Sequence, residues 1–307
     1  MFLRNPRWFH LVITIGIYIL LAGGLRLVID TGQLSTAHAG FMGIGAYAST
    51  LLVMRLGLSF WFALPLSGVV GGIVAILIGY PCLRLRGPYF FIITLAFGEI
   101  LRMMFISWQD VFGGAVGISG IPMPDRISIL GRAIQFSTHS VHYYYLLLVL
   151  LVPSLFIFHR LERSRFGLVW AAMREHDSLA QSFGIDLMWH KMMAFFIACV
   201  LAGIGGSFYA HYMSYISPGS FTMNESLLLV IMVVIGGSES IFGVIIGVIL
   251  MTLISELGRD AVKFQPLIYG SALLLILLFV PGGLWSLRRA VIRTFPFLYR
   301  GLGTLRQ

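Results

Sequence analysis

The sequence predicts an all-α, polytopic transmembrane helical bundle of about eight to ten segments, and three observations predict it. Of 307 residues, 58% are hydrophobic and only 11% are charged, whereas a soluble domain carries about 25% charged residues. Mean hydropathy is +0.92. Stretches such as Ala272 to Val280 are continuously apolar, while the strands of a membrane barrel alternate apolar and polar over about ten residues.

A crossing helix takes about 20 apolar residues, and runs of that kind follow one another along the chain. They are Phe9 to Ile29, Gln33 to Met54, Phe60 to Tyr80, Pro88 to Trp108, His142 to His159, Met192 to Tyr212, Leu227 to Gly237, Ile241 to Leu257 and Pro266 to Val280. The first follows Arg4 and Arg7 but exceeds the 7 to 15 residues of a signal-peptide core, so it reads as a span. A single transmembrane domain over 1–307 is expected, with two long connections, 109–141 and 160–191, and a basic tail from 286 to 307.

Net charge is +9, from 19 Arg and two Lys. These residues gather at span ends and are not interleaved with stacking aromatics, so they read as topology signals and no nucleic acid is expected. The Arg-rich tail and the 160–191 loop with Arg160, Arg163, Arg165, Arg174 and Lys191 are both read as cytoplasmic, and 109–141 as external. Counting five full spans before the 160–191 loop would leave Arg4 and Arg7 outside. The segment 33–54, whose first half holds Gln33, Ser35, Thr36, His38, Gly40, Gly43 and Gly45, is therefore expected to be broken or re-entrant, which places both termini in the cytoplasm. Backbone of that kind is tolerated at membrane depth only inside protein or beside a wet cavity.

Other patterns read as packing. Ala194, Ala198, Ala202, Gly206 and Ala210 recur every four residues, and Gly68/Gly72 and Gly243/Gly247 repeat the spacing, which lets helix backbones approach closely. Cys82 and Cys199 lie in apolar surroundings and form no disulfide framework. His139 and His142 have metal-compatible spacing, but no Cys or carboxylate stands near, so no metal is expected.

Glu99 falls near the middle of a span, where a charge is costly, and Arg102 is within pairing reach three residues on. The two are either a polar part of a pathway or an internal ion pair. His38 is either an interhelical hydrogen-bonding group or a substrate or proton group. In the 160–191 loop, Val169 to Ser182 reads as one short amphipathic helix stopped by Gly184, a docking surface in a chain with few long loops. No phosphate-binding loop occurs, so an ATP-driven motor would be a separate chain.

Four segments resemble the inner-membrane permeases of branched-chain amino-acid ABC transporters, of the LivM type. GQLSTAHAGFMGIGAYAST (32–50) is similar to that family's G-Q-x-S-x-x-H-x-x-F-x-G-I-G-A-Y signature. GPYFFIITLAFGEILR (87–102) is similar to its G-x-Y-F-x-I-x-T-L-A-F-G-E-I-x-R. AMREHDSLAQSFGIDLMWHKMMAF resembles its cytoplasmic ATPase-coupling loop, with Ser178 where Glu is usual, and VVIGGSESIFGVIIG resembles its Gly-Gly segment, with Glu239 where a small residue is common.

The resemblance implies a transport subunit, not an enzyme, forming half of a translocation path for leucine, isoleucine, valine or related amino acids. It implies as partners a paralogous LivH-type permease, two ATPase subunits, a periplasmic binding protein and the lipid bilayer, and it implies no cofactor. Path residues are expected at Gln33, Ser35, His38, Gly43, Thr94, Glu99 and Arg102. Arg174, Glu175 and Asp177 are expected at the rim of an ATPase contact, with Ala180 and Gly184 close against it. The alternatives are a permease for urea or short amides, and a proton-coupled secondary transporter using Glu99 or His38.

Overall fold

Every predicted span is a helix in a computed structural model, which describes residues 6–85, 87–129, 132–134, 141–258, 264–280 and 283–286. The helices are α1 (Pro6–Asp30), α2 (His38–Met54), α3 (Phe60–Cys82), α4 (Pro88–Ser107), α5 (Gln109–Phe112), α6 (Val141–Glu162), α7 (Arg165–Glu175), α8 (Asp177–Ser182), α9 (Leu187–Met213), α10 (Met223–Gly236), α11 (Ile241–Leu257) and α12 (Gln265–Phe279). Among the described residues, six helices are long and apolar enough to cross a membrane, and three shorter apolar helices accompany them. The basic tail beyond Ser286 lies outside the described residues, as do Arg4, Arg86 and His139.

The chain divides into a unit ending at Val230 and one beginning at Ile231. In the first unit α9 is the central helix, packed on α1, α2 and α3. Its small-residue stripe explains why. A Cβ at Gly45 of α2 would lie 2.1 Å from the Gly203 carbonyl oxygen, and one at Gly206 would lie 1.9 Å from that of Met42. Backbones in such contact have replaced side chains as the packing surface. Gly68 and Gly72 of α3 meet Ile204, Val200 and Phe196 in the same way. In the second unit Gly243 and Gly247 of α11 lie against the backbone of residues 232–237, and Tyr269 of α12 donates to Ser255 Oγ at 2.8 Å.

Polar ties mark the two ends of the first unit. At one end Arg55, after α2, donates to the Val111 carbonyl at 3.4 Å, and Asp125 caps the first amide of α3 at 3.1 Å. Here β1 (Ile118–Ser119) also pairs antiparallel with β4 (Tyr215–Ile216), and the 109–141 connection adds a hairpin of β2 (Ile127–Ile129) and β3 (Arg132–Ile134). His211 fastens this end: one ring nitrogen lies 2.7 Å from the Pro122 carbonyl and the other 3.0 Å from Ser49 Oγ, to which Ser207 donates. At the opposite end lie the 160–191 loop, the end of α1 and the start of α4.

The segment expected to be broken, 33–54, is irregular from Thr31 to Ala37 and helical from His38. α2 runs from the 160–191 end to the 109–141 end, and with 17 residues it is shorter than the six long apolar helices. His10, in the first turns of α1, touches the Tyr212 hydroxyl near the end of α9 at 3.1 Å, while Arg26 and Asp30 reach the 160–191 loop. The start of α1 and that loop thus occupy opposite ends of the unit.

The structure corrects the single amphipathic helix expected over Val169 to Ser182. It is two helices, broken at His176, whose backbone is extended (φ −149°, ψ 96°). Ser164 caps the first with its side chain, accepting the Phe166 amide at 3.2 Å.

Candidate translocation and coupling sites

The polar residues before α2 are held by α4. Thr36 donates its amide to Thr94 Oγ1 at 3.2 Å and its hydroxyl to the Phe91 carbonyl at 3.2 Å, and Gln33 donates to the Leu85 carbonyl at 3.4 Å. Ser35 accepts the Ala37 amide, and Ser226 of α10 accepts the Ala39 amide at 3.1 Å. Side-chain hydroxyls thereby satisfy backbone groups that the late start of α2 leaves open, as an apolar medium requires. The same stretch holds three buried polar atoms with no hydrogen-bond partner among the described residues: Gln33 Oε1 and both ring nitrogens of His38, which is fully buried. Unsatisfied buried groups of this kind are rare and mark places where something else makes contact.

The expected path residues therefore separate into three places. Gln33, Ser35, His38 and Thr94 come together with Thr36. Gly43 lies elsewhere, in an aromatic wall where a Cβ would meet Phe105 and Phe221 at 3.0 Å. The space beside it is filled by rings, with Tyr47 4.4 Å from Phe105. Glu99 and Arg102 form the predicted ion pair, Nε donating to Oε1 at 2.8 Å, on a face of α4 where their side chains remain 38% and 25% exposed.

The 160–191 loop is latched to the spans by charge. Arg26, buried in α1, bonds Glu162 at the end of α6 at 3.1 Å and Asp30 at 3.4 Å, and Asp30 meets Arg174 of α7 at 3.6 Å. Lys191, buried at the start of α9, bonds Asp177 of α8 at 2.8 Å. Arg174 and Asp177 thus reach inward to α1 and α9, while Glu175 is exposed. Ala180 is only 4% exposed and packs within the chain. Gly184 stands at φ +79° just past the end of α8, its amide donating to the Gln181 carbonyl at 3.0 Å; it shapes the helix stop. The loop's exposed apolar side chains include Leu168, Leu179 and Phe183, the last 78% exposed.

Sequence reasoning missed Glu225. The apolar run begins at Leu227, but α10 begins at Met223, and Phe221 beside Gly43 shows that the chain has already re-entered the bundle. Glu225 lines a cavity of about 310 Å³ between α1, α2, α9 and the start of α10, where it accepts a hydrogen bond from Tyr18 at 3.0 Å. A carboxylate two residues before an apolar run was the available signal.

The family model for the permease component of branched-chain amino acid transport systems matches residues 8–281. The chain belongs to that family. It is 36% identical over 295 residues to the high-affinity branched-chain amino acid transport system permease protein LivM of Salmonella typhimurium, and 35% identical to that of Escherichia coli. Each alignment covers 90% of this chain and 69% of the relative. A probable branched-chain amino acid transport permease protein LivH of Methanocaldococcus jannaschii is 26% identical over 87% of this chain and 86% of its own. No solved structure matches the chain at a significant level. Membership makes this a multi-pass membrane permease, a transport subunit and not an enzyme.

Proposed function

We propose that this chain carries branched-chain amino acids across the inner membrane as one half of an ATP-driven importer, paired with a LivH-type permease and fed by a periplasmic binding protein. The substrate reading rests on the relatives' names and on a 90% span of this chain. That one family contains both LivM and LivH proteins supports a paralogous partner. Energy enters at the 160–191 loop, which lies in the cytoplasm. Two ATPase subunits serve the pair, and one docks on Leu168, Leu179 and Phe183.

The observation that carries this reading is the double latch. Arg174–Asp30 ties α7 to α1, and Lys191–Asp177 ties α8 to α9. A push on the loop therefore moves, as rigid bodies, α1, which leads directly into the irregular 31–37 segment, and α9, which packs on α2. With the loop inside, the first turn of α1 faces outward. Gln33, Ser35, His38 and Thr94 serve the path, their unsatisfied atoms being available to substrate or water.

The test is uptake by proteoliposomes holding this chain, its paralogue and the ATPases, with binding protein supplied outside. ATP-dependent accumulation of leucine, isoleucine or valine is expected, with no uptake of urea. Accumulation driven by a proton gradient without ATP would overturn the reading.

A further inference from the structure

The cavity beside Glu225 has a composition that selects a ligand. Its polar lining includes Glu225 with the hydroxyls of Tyr18, Tyr209 and Ser220, and among the described residues no Lys or Arg lines it; its apolar lining comes from residues such as Leu21, Met42 and Leu229. His10 lines it too, about two helical turns along α1 from Tyr18 and held by Tyr212 at the 109–141 end. Tyr18 donates to Glu225 Oε2, and Tyr209 donates to Ser220 Oγ at 3.5 Å. The carboxylate thus has acceptor capacity beyond one phenol, at a depth where a lone carboxylate is costly. A volume of about 310 Å³ is at the small end of ligand sites.

We propose that this cavity binds a primary ammonium group carrying a short aliphatic chain, with Glu225 and the Tyr18 hydroxyl at the ammonium and Leu21, Met42 and Leu229 around the hydrocarbon. The site's role in transport rests on the permease reading, in which the ammonium is that of the amino-acid substrate. A carboxylate alone has no cationic side chain to meet in this cavity. The site therefore distinguishes amines from acids of equal shape.

The experiment measures the thermal unfolding midpoint of the purified full chain with three probes of matched hydrocarbon: leucine, 3-methylbutylamine and 4-methylpentanoate. Leucine and 3-methylbutylamine are expected to raise the midpoint, and 4-methylpentanoate to leave it unchanged. Glu225→Gln should weaken the amine response about tenfold, as loss of a charge-assisted bond does. Tyr18→Phe, which keeps the carboxylate and the fold, should weaken it less, and it carries the test if Glu225→Gln does not fold. Equal response to amine and acid, no response from the wild type, or a full response in both variants would overturn the proposal. ATP-driven uptake with no amine response sinks only this site, whereas an amine response without ATP-driven uptake sinks only the importer reading.

Discussion

Asp30, the last residue of α1, is an ion partner of Arg174 in the 160–191 loop, 3.6 Å away though far from it in sequence. Through Arg26 the same carboxylate joins Glu162, so α1, α6 and α7 share one charge cluster around the buried Arg26. Removing one member of such a cluster leaves charges that have lost their solvent and their partner.

Arg26→Met should therefore destabilise the protein by about 3–5 kcal/mol, and Arg26→Met with Glu162→Gln should recover part of that loss. Unfolding midpoints of the two variants in one detergent check this. A double variant no better than the single would show that the pair does not couple.

Gly45 and Gly270 differ in what a methyl group would meet. At Gly45 it would overlap the Gly203 carbonyl, whereas at Gly270 of α12 nothing lies within 4 Å. Gly45→Ala should separate α2 from α9 and cost about 1–3 kcal/mol. Gly270→Ala should be neutral or stabilise by up to about 1 kcal/mol, since a helical Gly gains from a methyl. Yield of folded protein and unfolding midpoints report both.

The Glu99–Arg102 pair sits on a partly exposed helix face. Glu99→Gln should lower the unfolding midpoint by stranding Arg102, and Glu99→Gln with Arg102→Gln should restore part of it. A stable Glu99→Gln protein without transport would instead place Glu99 in the path.

Much of the bundle was legible because a span is a local property: twenty apolar residues report themselves, and the every-fourth small residues of α9 report a seam. The i,i+3 pair Glu99–Arg102 was legible for the same reason. Partners far apart were not. Arg26 and Glu162 are 136 residues apart, and nothing in either neighbourhood signals the other. Glu225 was hidden because Asn224, Glu225 and Ser226 read as a connection, while the chain packs them at depth beside Tyr18 and Ala39. The break at His176 was hidden because the apolar spacing continues across it, while the partner of Asp177, the first residue of α8, is Lys191 on α9.

Docking of an ATPase on α7 and α8 is most directly measured with Phe183→Asp and Leu179→Asp. Both residues are exposed, so each change leaves the chain's own packing intact, unlike changes at buried Ala180 or at Gly184 with its positive φ. Val116→Asp, 79% exposed at the opposite end, is the control. With membrane levels matched, Phe183→Asp and Leu179→Asp should each cut co-purification of the ATPases about thirtyfold, as loss of an apolar anchor of about 2 kcal/mol does, and Val116→Asp should not. Undiminished co-purification and uptake in both loop variants would contradict the assignment of this surface, and with it the coupling role of the 160–191 loop.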